Sequence, residues 1–127
     1  GLHINKGLAG VPEEVVARER NTSFNPACLD AAAQVIFGSA QAATYPGVIG
    51  HEPDLEAGRK AAAPPIKAIG IIRDATPGAG TYAAEADYFE PNWQQEFWGP
   101  NYERLLTIKR KVDPDNLFRV HHGVGSE

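Results

Sequence analysis

A short acidic segment carries the side chains best suited to proton chemistry. In "TYAAEADYFE", Glu85 and Asp87 are two residues apart, and Glu90 follows them. Two carboxylates can act as general acid and general base if their surroundings separate their pKa values, and in a strand Glu85 and Asp87 would share a face. Tyr82 and Tyr88 flank the segment and could donate to a developing anion. Solvated carboxylates and core tyrosines are the plainer interpretation, because no substrate or partner group can be named.

The histidines raise the question of a metal site. His121 and His122 are adjacent, whereas His3 and His51 lie elsewhere in the chain. Adjacent side chains on an extended segment point in opposite directions, and no H-x-H or H-x-x-x-H spacing occurs. Cys28 is the only cysteine, which excludes an internal disulfide and a cysteine-based zinc cluster. We therefore predict no metal site.

Other kinds of chemistry find little support. The glycine-rich segments "TPGAG" and "GVGSE" lack the strand-to-helix spacing of a phosphate-binding loop, and Ser39 and Ser126 lack a nucleophile-elbow context. The net charge of −4 and the pI near 5.5 give no basic surface for nucleic acid or an anionic membrane. Apolar runs such as "AAAQVIF" are too short to cross a bilayer. We expect neither nucleic acid nor a membrane as a partner.

The size of the chain sets its expected organisation. Its 127 residues, 43% of them hydrophobic, can bury one modest core. We therefore expect a single domain over residues 1–127. The chain begins with Gly1 and contains no Met, so we also expect a processed or excised piece of a longer protein.

Short elements separated by Gly and Pro must position the candidate residues. Periodicity and charge placement predict a strand over residues 2–5, a helix over 12–20 and a helix that begins at 54. Residues 29–37 are nearly balanced between helix and strand, and we favour strand. Pro64 and Pro65 should break or kink the helix that begins at 54, and we favour a second helix over residues 66–74 with Pro65 in its first turn.

The segment "GPNYERLLTIKRKVDPDNLF" predicts one well-bounded helix. Pro100 suits the first helical position, a basic run occupies the last turn, and Asp113 with Pro114 ends the helix. Its apolar face comes from residues at helical spacing, namely Tyr102, Leu105, Leu106 and Val112. We expect this face to pack against a substantial core.

The last third of the sequence resembles a known family. "YFEPNWQQEFWGPNYERLLTIKRKVDPDNLFRVHHGVGSE" is similar to the C-terminal, berberine-bridge-type segment of FAD-linked oxidases of the vanillyl-alcohol-oxidase superfamily. "HINKGLAG", "NPACLDA", "YPGVIGHEPDLEAGRKAA" and "TYAAEADYFEP" resemble successive parts of the same region, in the same order. The resemblance thus covers essentially the whole chain. It implies an α+β fold, a small antiparallel sheet with packed helices, like the end of a flavin-oxidase substrate domain.

The resemblance also assigns roles to residues near the flavin. Asn101 and Tyr102 match an Asn-Tyr pair that lies close to the flavin where two domains meet, and are predicted to bind the cofactor. Glu85 lies near the position where many relatives have a catalytic Tyr, so Glu85 and Tyr82 are the catalytic candidates. Relatives often read "NEAD" where this chain has Ala84 in place of Asn. That difference removes a polar side chain from the active-site face.

The substrate side is assigned in the same way. His3 and Asn5, with Lys6, match a strand that borders the substrate pocket and are predicted to contact the substrate. In the resembling family, an N-terminal domain binds FAD and attaches it covalently, and that domain has no counterpart in these 127 residues.

Two functions therefore compete. The favoured one is a non-catalytic fragment or truncated homologue of an FAD-linked oxidase, acting as a soluble binding or interaction protein without a cofactor. The alternative is the substrate-domain part of a flavin-dependent alcohol or sugar oxidase that needs an N-terminal FAD-binding chain. In a lone chain the apolar surface around Trp93, Trp98 and Tyr102 would face water, so we expect self-association or rearranged local structure to cover it. In a complete enzyme the missing N-terminal FAD domain would cover it. The resemblance favours secretion.

Overall fold

The computed structural model describes residues 1–4 and 7–127, which form an α+β fold. Its regular elements, in chain order, are β1 (Leu2–Ile4), α1 (Glu13–Arg20), α2 (Ala27–Asp30), β2 (Ala33–Val35), α3 (Leu55–Ala75), α4 (Trp93–Trp98) and α5 (Tyr102–Val112), with 3₁₀ turns at Ala83–Glu85 and Gly99–Asn101. Strands β1 and β2 form a two-stranded sheet. Beside it, Gly1 and Ile36 exchange backbone hydrogen bonds of 2.8 and 2.9 Å, the reciprocal pattern of antiparallel pairing. The predicted fold class is confirmed.

The chain divides into two compact units. The α3 unit contains Gly1–Leu2 and Val35–Pro77, and the α5 unit contains His3–Gln34 and Gly78–Glu127. The expected single domain over residues 1–127 stays a prediction. Among the described residues, no helix is long and apolar enough to cross a membrane.

The α3 helix runs without interruption through Pro64 and Pro65, so the predicted break into two helices is wrong. Proline has a φ that suits a helix, and its cost lies in the missing N–H and in crowding against the preceding turn. Here the ends of the helix are secured by side chains. The Asp54 carboxylate accepts a hydrogen bond from the Ala57 N–H at 2.9 Å, and the Thr76 hydroxyl donates to the Ile72 carbonyl at 2.7 Å.

The α2 helix corrects a second prediction. The sequence favours strand over residues 29–37, but α2 extends to Asp30 and only Ala33–Val35 is a strand. The Asn25 side chain explains the helical turn, because its Oδ1 accepts the Ala27 N–H at 3.0 Å and so caps the start of α2.

The remaining helix and strand predictions agree with the structure within their described range. The β1 strand ends at Ile4, next to Asn5, which lies outside the described residues. The α1 helix begins directly after Pro12, and α5 begins after the turn that contains Pro100. Asp113 ends α5.

The core of the α5 unit is small and aromatic. Its buried apolar side chains come from two neighbouring helices, Trp93 and Phe97 from α4 and Tyr102 and Leu106 from α5. Each pair is spaced i, i+4, which places both side chains on one helix face. Gly99, with φ +52°, turns the chain between the two helices.

Candidate functional site

Trp93 lies at the centre of the aromatic core. Its ring meets Trp98 and Tyr102 edge to face, with centroids 5.8 and 5.7 Å apart. These are favourable geometries for aromatic pairs. The other close neighbour, His122, is nearly parallel to the indole at 5.3 Å and 13°.

His122 belongs to a continuous stack of four rings. Tyr88 and His121 are 3.9 Å apart, His121 and His122 are 3.7 Å apart, and His122 then lies on Trp93. We call Tyr88, His121, His122 and Trp93 the four-ring stack. The prediction that the two histidines point in opposite directions is wrong, because it assumed an extended backbone. His122 instead has φ +54°, and this left-handed conformation brings both rings to the same side.

The histidines of the stack differ in their surroundings. His121 Nε2 lies 2.6 Å from the Tyr88 carbonyl oxygen. A carbonyl only accepts, so Nε2 must carry the proton of this hydrogen bond. Burial chiefly lowers the pKa of His122, the neighbouring His121 lowers it further, and the Glu90 carboxylate opposes the shift. The neutral form of His122 is therefore favoured in the folded chain.

A cavity of about 540 Å³ lies beside the stack. It is lined by Trp93, Gln94, Arg119, Val120, His121, His122, Ser126 and Glu127. Indole, imidazole, guanidinium, hydroxyl and carboxylate groups thus face one space. Such a mixture could bind a small planar molecule through ring contacts and a few hydrogen bonds.

Tyr102 joins the start of α5 to the end of the chain. It is buried, and its hydroxyl donates to the Glu127 carboxylate and accepts the Gly125 N–H at 3.3 Å. Burial, together with the hydrogen bond to Glu127, raises the pKa of Tyr102 to about 12. The same hydrogen bond lowers the pKa of Glu127. Tyr102 is thus a neutral hydrogen-bond donor at ordinary pH.

The Asn101 side chain uses its amide hydrogens to hold the loop after α1. Its Nδ2 donates to the carbonyls of Arg20 and Phe24, both at 3.0 Å. Arg104 donates to the Thr22 carbonyl at 2.6 Å in the same loop. The loop after α1 is therefore held against the beginning of α5.

Asn25 makes the matching connection to α4. This side chain is only 4% exposed, and its Nδ2 donates to the Glu96 carbonyl at 2.8 Å. Gly80 and Gly99 lie so close that a Cβ on either would come within 2.4 or 2.7 Å of the Asn25 side chain. Sequence reasoning did not identify Asn25, although an Asn followed by Pro before a short helix is a usable cap signal.

The two catalytic candidates share one exposed turn. Tyr82 precedes the 3₁₀ turn that ends at Glu85, and the Glu85 N–H donates to the Tyr82 carbonyl at 3.0 Å. Gln34 Nε2 donates to the Glu85 carboxylate at 2.8 Å, and the Tyr82 ring meets Phe24 edge to face at 6.3 Å. The segment is not a strand, so the idea that Glu85 and Asp87 share a strand face is wrong. The Asp87 carboxylate accepts the Phe89 N–H at 2.8 Å instead.

The structure describes only one of the residues that are predicted to contact the substrate. His3 is exposed on β1, and Asn5 lies outside the described residues. Among residues 1–4 and 7–127, no group of three or more His, Cys, Asp or Glu side chains is arranged to hold a metal ion. The catalytic, cofactor-binding and substrate-binding roles all stay predictions.

Asp113 is a further buried polar residue that sequence reasoning treated only as a helix stop. Its carboxylate pairs with Lys109 and accepts the N–H groups of Leu117 and Phe118 at 2.8 and 3.0 Å. These bonds fold the chain back after α5 and so lead it toward the two stacked histidines. The "DPDN" sequence, with its turn-forming residues, could have predicted this turn.

FAD does not fit the described residues as a complete site. The amide hydrogens of Asn101 and the hydroxyl of Tyr102 are engaged inside the α5 unit. Gly78 and Gly80, in "TPGAG", follow α3 and lead into an irregular segment, not into the N-terminus of a long helix that could receive phosphate groups. Most contacts to such a cofactor would have to come from other polypeptide.

Comparison with known proteins identifies the segment that holds this site. Residues 81–125 match the family model described as "Berberine and berberine like". FAD-linked oxidoreductase ZEB1 of Gibberella zeae is 52% identical over 56 residues, which are 44% of this chain and 10% of the relative. VAO-type flavoprotein oxidase VAO615 of Thermothelomyces thermophilus is 53% identical over 53 residues, or 42% and 9%. FAD-linked oxidoreductase notD of an Aspergillus species is 63% identical over 46 residues, or 36% and 7%.

These similarities are strong but partial. The matched part spans about a tenth of the length of these curated relatives. No solved structure gives a significant match. The resemblance to the berberine-bridge-type segment of FAD-linked oxidases is confirmed.

Proposed function

We propose that this chain is the berberine-like part of an FAD-linked oxidoreductase and that it catalyses no oxidation by itself. The matched residues 81–125 include α4, α5 and the four-ring stack, so the best-packed part of the chain is the part that resembles these enzymes. In flavoenzymes the flavin supplies the redox chemistry, and the protein supplies binding, orientation and electrostatics. This chain would supply only binding, orientation and electrostatics.

The observation that carries this proposal is the inward use of Asn101 and Tyr102. Their hydrogen-bonding groups hold the loop after α1 and the segment that includes Gly125 and Glu127. These hydrogen bonds stabilise the α5 unit itself. A surface held in this way can lie beside a flavin without binding it tightly. An alcohol or a sugar is the substrate class that we propose for the complete enzyme.

The exposed turn with Tyr82 and Glu85 is the surface that we propose to face the substrate. Glu85 can accept or return a proton, and Gln34 orients its carboxylate at 2.8 Å. The Tyr82 hydroxyl can donate a hydrogen bond to an oxygen atom of the substrate. Both residues need the flavin, held elsewhere, to take part in oxidation.

A second candidate function is an interaction protein that works without FAD. Large apolar side chains of the α5 unit are exposed, including Phe89 at 79%, Leu117 at 78% and Phe118 at 82%. Exposed apolar surface in an isolated protein favours association. Self-association would cover these side chains in a free chain, and the FAD-binding part would cover them in a complete enzyme.

A visible absorption spectrum tests the first proposal. The purified chain is mixed with excess FAD, passed through a gel-filtration column and examined across the visible flavin absorption bands. We expect no flavin in the protein peak. A retained flavin band that bleaches when an alcohol or a sugar is added without air would overturn the proposal that the isolated chain is inactive.

Adding back an FAD-binding part distinguishes the two candidates. The chain is co-expressed with the N-terminal portion of a matching FAD-linked oxidoreductase, and the complex is isolated through a tag on this chain. We expect a flavin-containing complex whose formation lowers the self-association of the chain measured by light scattering. A stable oligomer that never takes up the FAD-binding portion would favour the interaction protein.

A further inference from the structure

The four-ring stack places two titratable rings in direct contact. His121 and His122 are 3.7 Å apart and lie between the rings of Tyr88 and Trp93. Two neutral imidazoles can stack in this way. Two imidazolium ions at this distance repel each other, and His122 is only partly exposed and lies on the buried Trp93, where a charge is poorly solvated.

Among the described residues, few charged or titratable groups surround the stack. They come from the segment before α4, from the start of α5, from the turn after α5 and from the end of the chain, and are Tyr88, Glu90, Tyr102, Arg119 and Glu127. The Glu90 carboxylate favours positive charge on His122, and Arg119 lines the cavity beside the ring. The carboxylate of Glu127 is already engaged with the Tyr102 hydroxyl. This mixed surrounding can neutralise one imidazolium but does not favour two.

We propose that the four-ring stack is a pH-sensitive clasp, which stays closed when one of its histidines is protonated and opens when the second is protonated. Opening separates His122 from Trp93 and widens the cavity beside them. The inference concerns the α5 unit itself and does not depend on FAD.

His121 can carry a positive charge without losing its present hydrogen bond. Its Nε2–H already donates to the Tyr88 carbonyl, so the added proton occupies Nδ1 and leaves that hydrogen bond intact. The cation then lies over the Tyr88 ring, a favourable cation–π arrangement. The stack therefore tolerates one charge.

The second proton goes to His122 and opens the stack. It would place a charge next to His121 and against the buried face of Trp93. The lowered pKa of His122, caused first by burial and then by His121, agrees with this order. His122 already has an unusual left-handed backbone with φ +54°, so movement of the ring also allows that backbone to relax.

An NMR titration of the unmodified chain tests the proposal. The imidazole C–H signals are followed from pH 8 to pH 4, with His3 and His51 as internal references outside the stack. We expect the two stacked histidines to take up protons in two separate macroscopic steps, with His122 protonated at the lower pH. Two independent steps at the same pH would overturn the proposal.

Tryptophan fluorescence tests the opening itself. In Trp98→Phe, Trp93 is the remaining indole, since the sequence contains two tryptophans. We expect its emission to change with the second histidine step while the far-UV circular dichroism stays constant. Trp93 emission that does not change at this step, or that changes only together with loss of helix, would overturn the proposal.

His121→Phe tests whether the second charge is needed, because it keeps a stacked ring and removes one titrating group. We expect the His122 midpoint to rise by about one pH unit or more and the Trp93 change to disappear, since one charge is tolerated. An unchanged midpoint with an unchanged Trp93 transition would overturn the proposal. If His121→Phe does not fold, the titration of the unmodified chain decides alone.

Discussion

The hydroxyl of Tyr102, at the start of α5, donates a hydrogen bond to the side chain of Glu127, 25 residues further along the chain. The Gly125 N–H donates to the same hydroxyl at 3.3 Å. One phenol therefore fixes the final segment against the aromatic core. The four-ring stack depends on this segment, since His121 and His122 belong to it.

Tyr102→Phe removes this connection while keeping the buried ring. We expect the free energy of unfolding to fall by about 1 kcal/mol, the usual net contribution of a hydrogen bond whose partner stays accessible to water. Urea unfolding followed by circular dichroism measures the loss. Tyr45→Phe is the control, because Tyr45 is 56% exposed, and it should change stability by no more than about 0.5 kcal/mol. Equal losses in both variants would refute the role of the hydroxyl.

The same tyrosine predicts a loss of stability in alkali. Its pKa in the folded chain is about 12, above the ordinary value of 10.0. A raised folded pKa means that this contribution is complete below about pH 10 and disappears as the pH rises toward 12. Thermal unfolding of the chain and of Tyr102→Phe at pH 8 to 11.5 should show a steeper decline for the unmodified chain. Parallel curves would contradict the prediction.

Asn101→Ala tests the fastening of the loop after α1. The carbonyls of Arg20 and Phe24 lose their donor, and we expect a loss of about 2 kcal/mol because partly buried carbonyls stay without a partner. Asn92→Ala is the control, since Asn92 precedes α4 without a side-chain capping bond. Proteolysis should cut Asn101→Ala in the loop between Arg20 and Asn25 faster than it cuts the control. A loop equally resistant in both variants would show that Asn101 does not hold it.

Gly99→Ala tests the close packing of Asn25. A Cβ at Gly99 would lie 2.7 Å from Asn25 Oδ1, in a backbone with φ +52°. Gly78→Ala is a matched control, because Gly78 also has positive φ, +82°, but its Cβ would meet nothing within 4 Å. We expect Gly99→Ala to lose about 1–3 kcal/mol more than Gly78→Ala, as overpacking does in a core. Similar losses would mean that only backbone strain matters.

Asp113→Asn tests the turn after α5 and gives a pH dependence of opposite sign. The pairing with Lys109 chiefly lowers the pKa of Asp113, and the N–H groups of Leu117 and Phe118 lower it further. A lowered folded pKa means that the contribution is present above the ordinary value of 3.8 and is lost as the pH falls below it. The melting temperature of the unmodified chain should fall more steeply between pH 5 and 2 than that of Asp113→Asn. Equal slopes would exclude this role of Asp113.

Sequence patterns predicted those parts of the fold that depend on neighbours along the chain. The α1 and α5 helices follow from periodicity, from Pro12 and Pro100 near their starts, and from basic residues in their last turns. The motifs in residues 81–125 are enough by themselves to indicate the resemblance to the berberine-like segment. Each of these signals is contained within a few turns of chain.

The candidate site was less predictable, because the roles of its residues come from distant partners. Asn101 reaches a carbonyl 81 residues away, and Asn25 reaches one 71 residues away. No local pattern could reveal that these amides donate hydrogen bonds to carbonyls of α4 and of the loop after α1.

Residue types at short spacing determined the α1 and α5 helices, the charge and the family resemblance of this protein. Tertiary structure alone decided that His121 and His122 face the same side, because a left-handed residue and a core tryptophan together outweigh the alternation expected of extended chain. The local pattern also did not predict that Pro64 and Pro65 lie within one uninterrupted helix. Both outcomes depend on a balance of free energies over many residues.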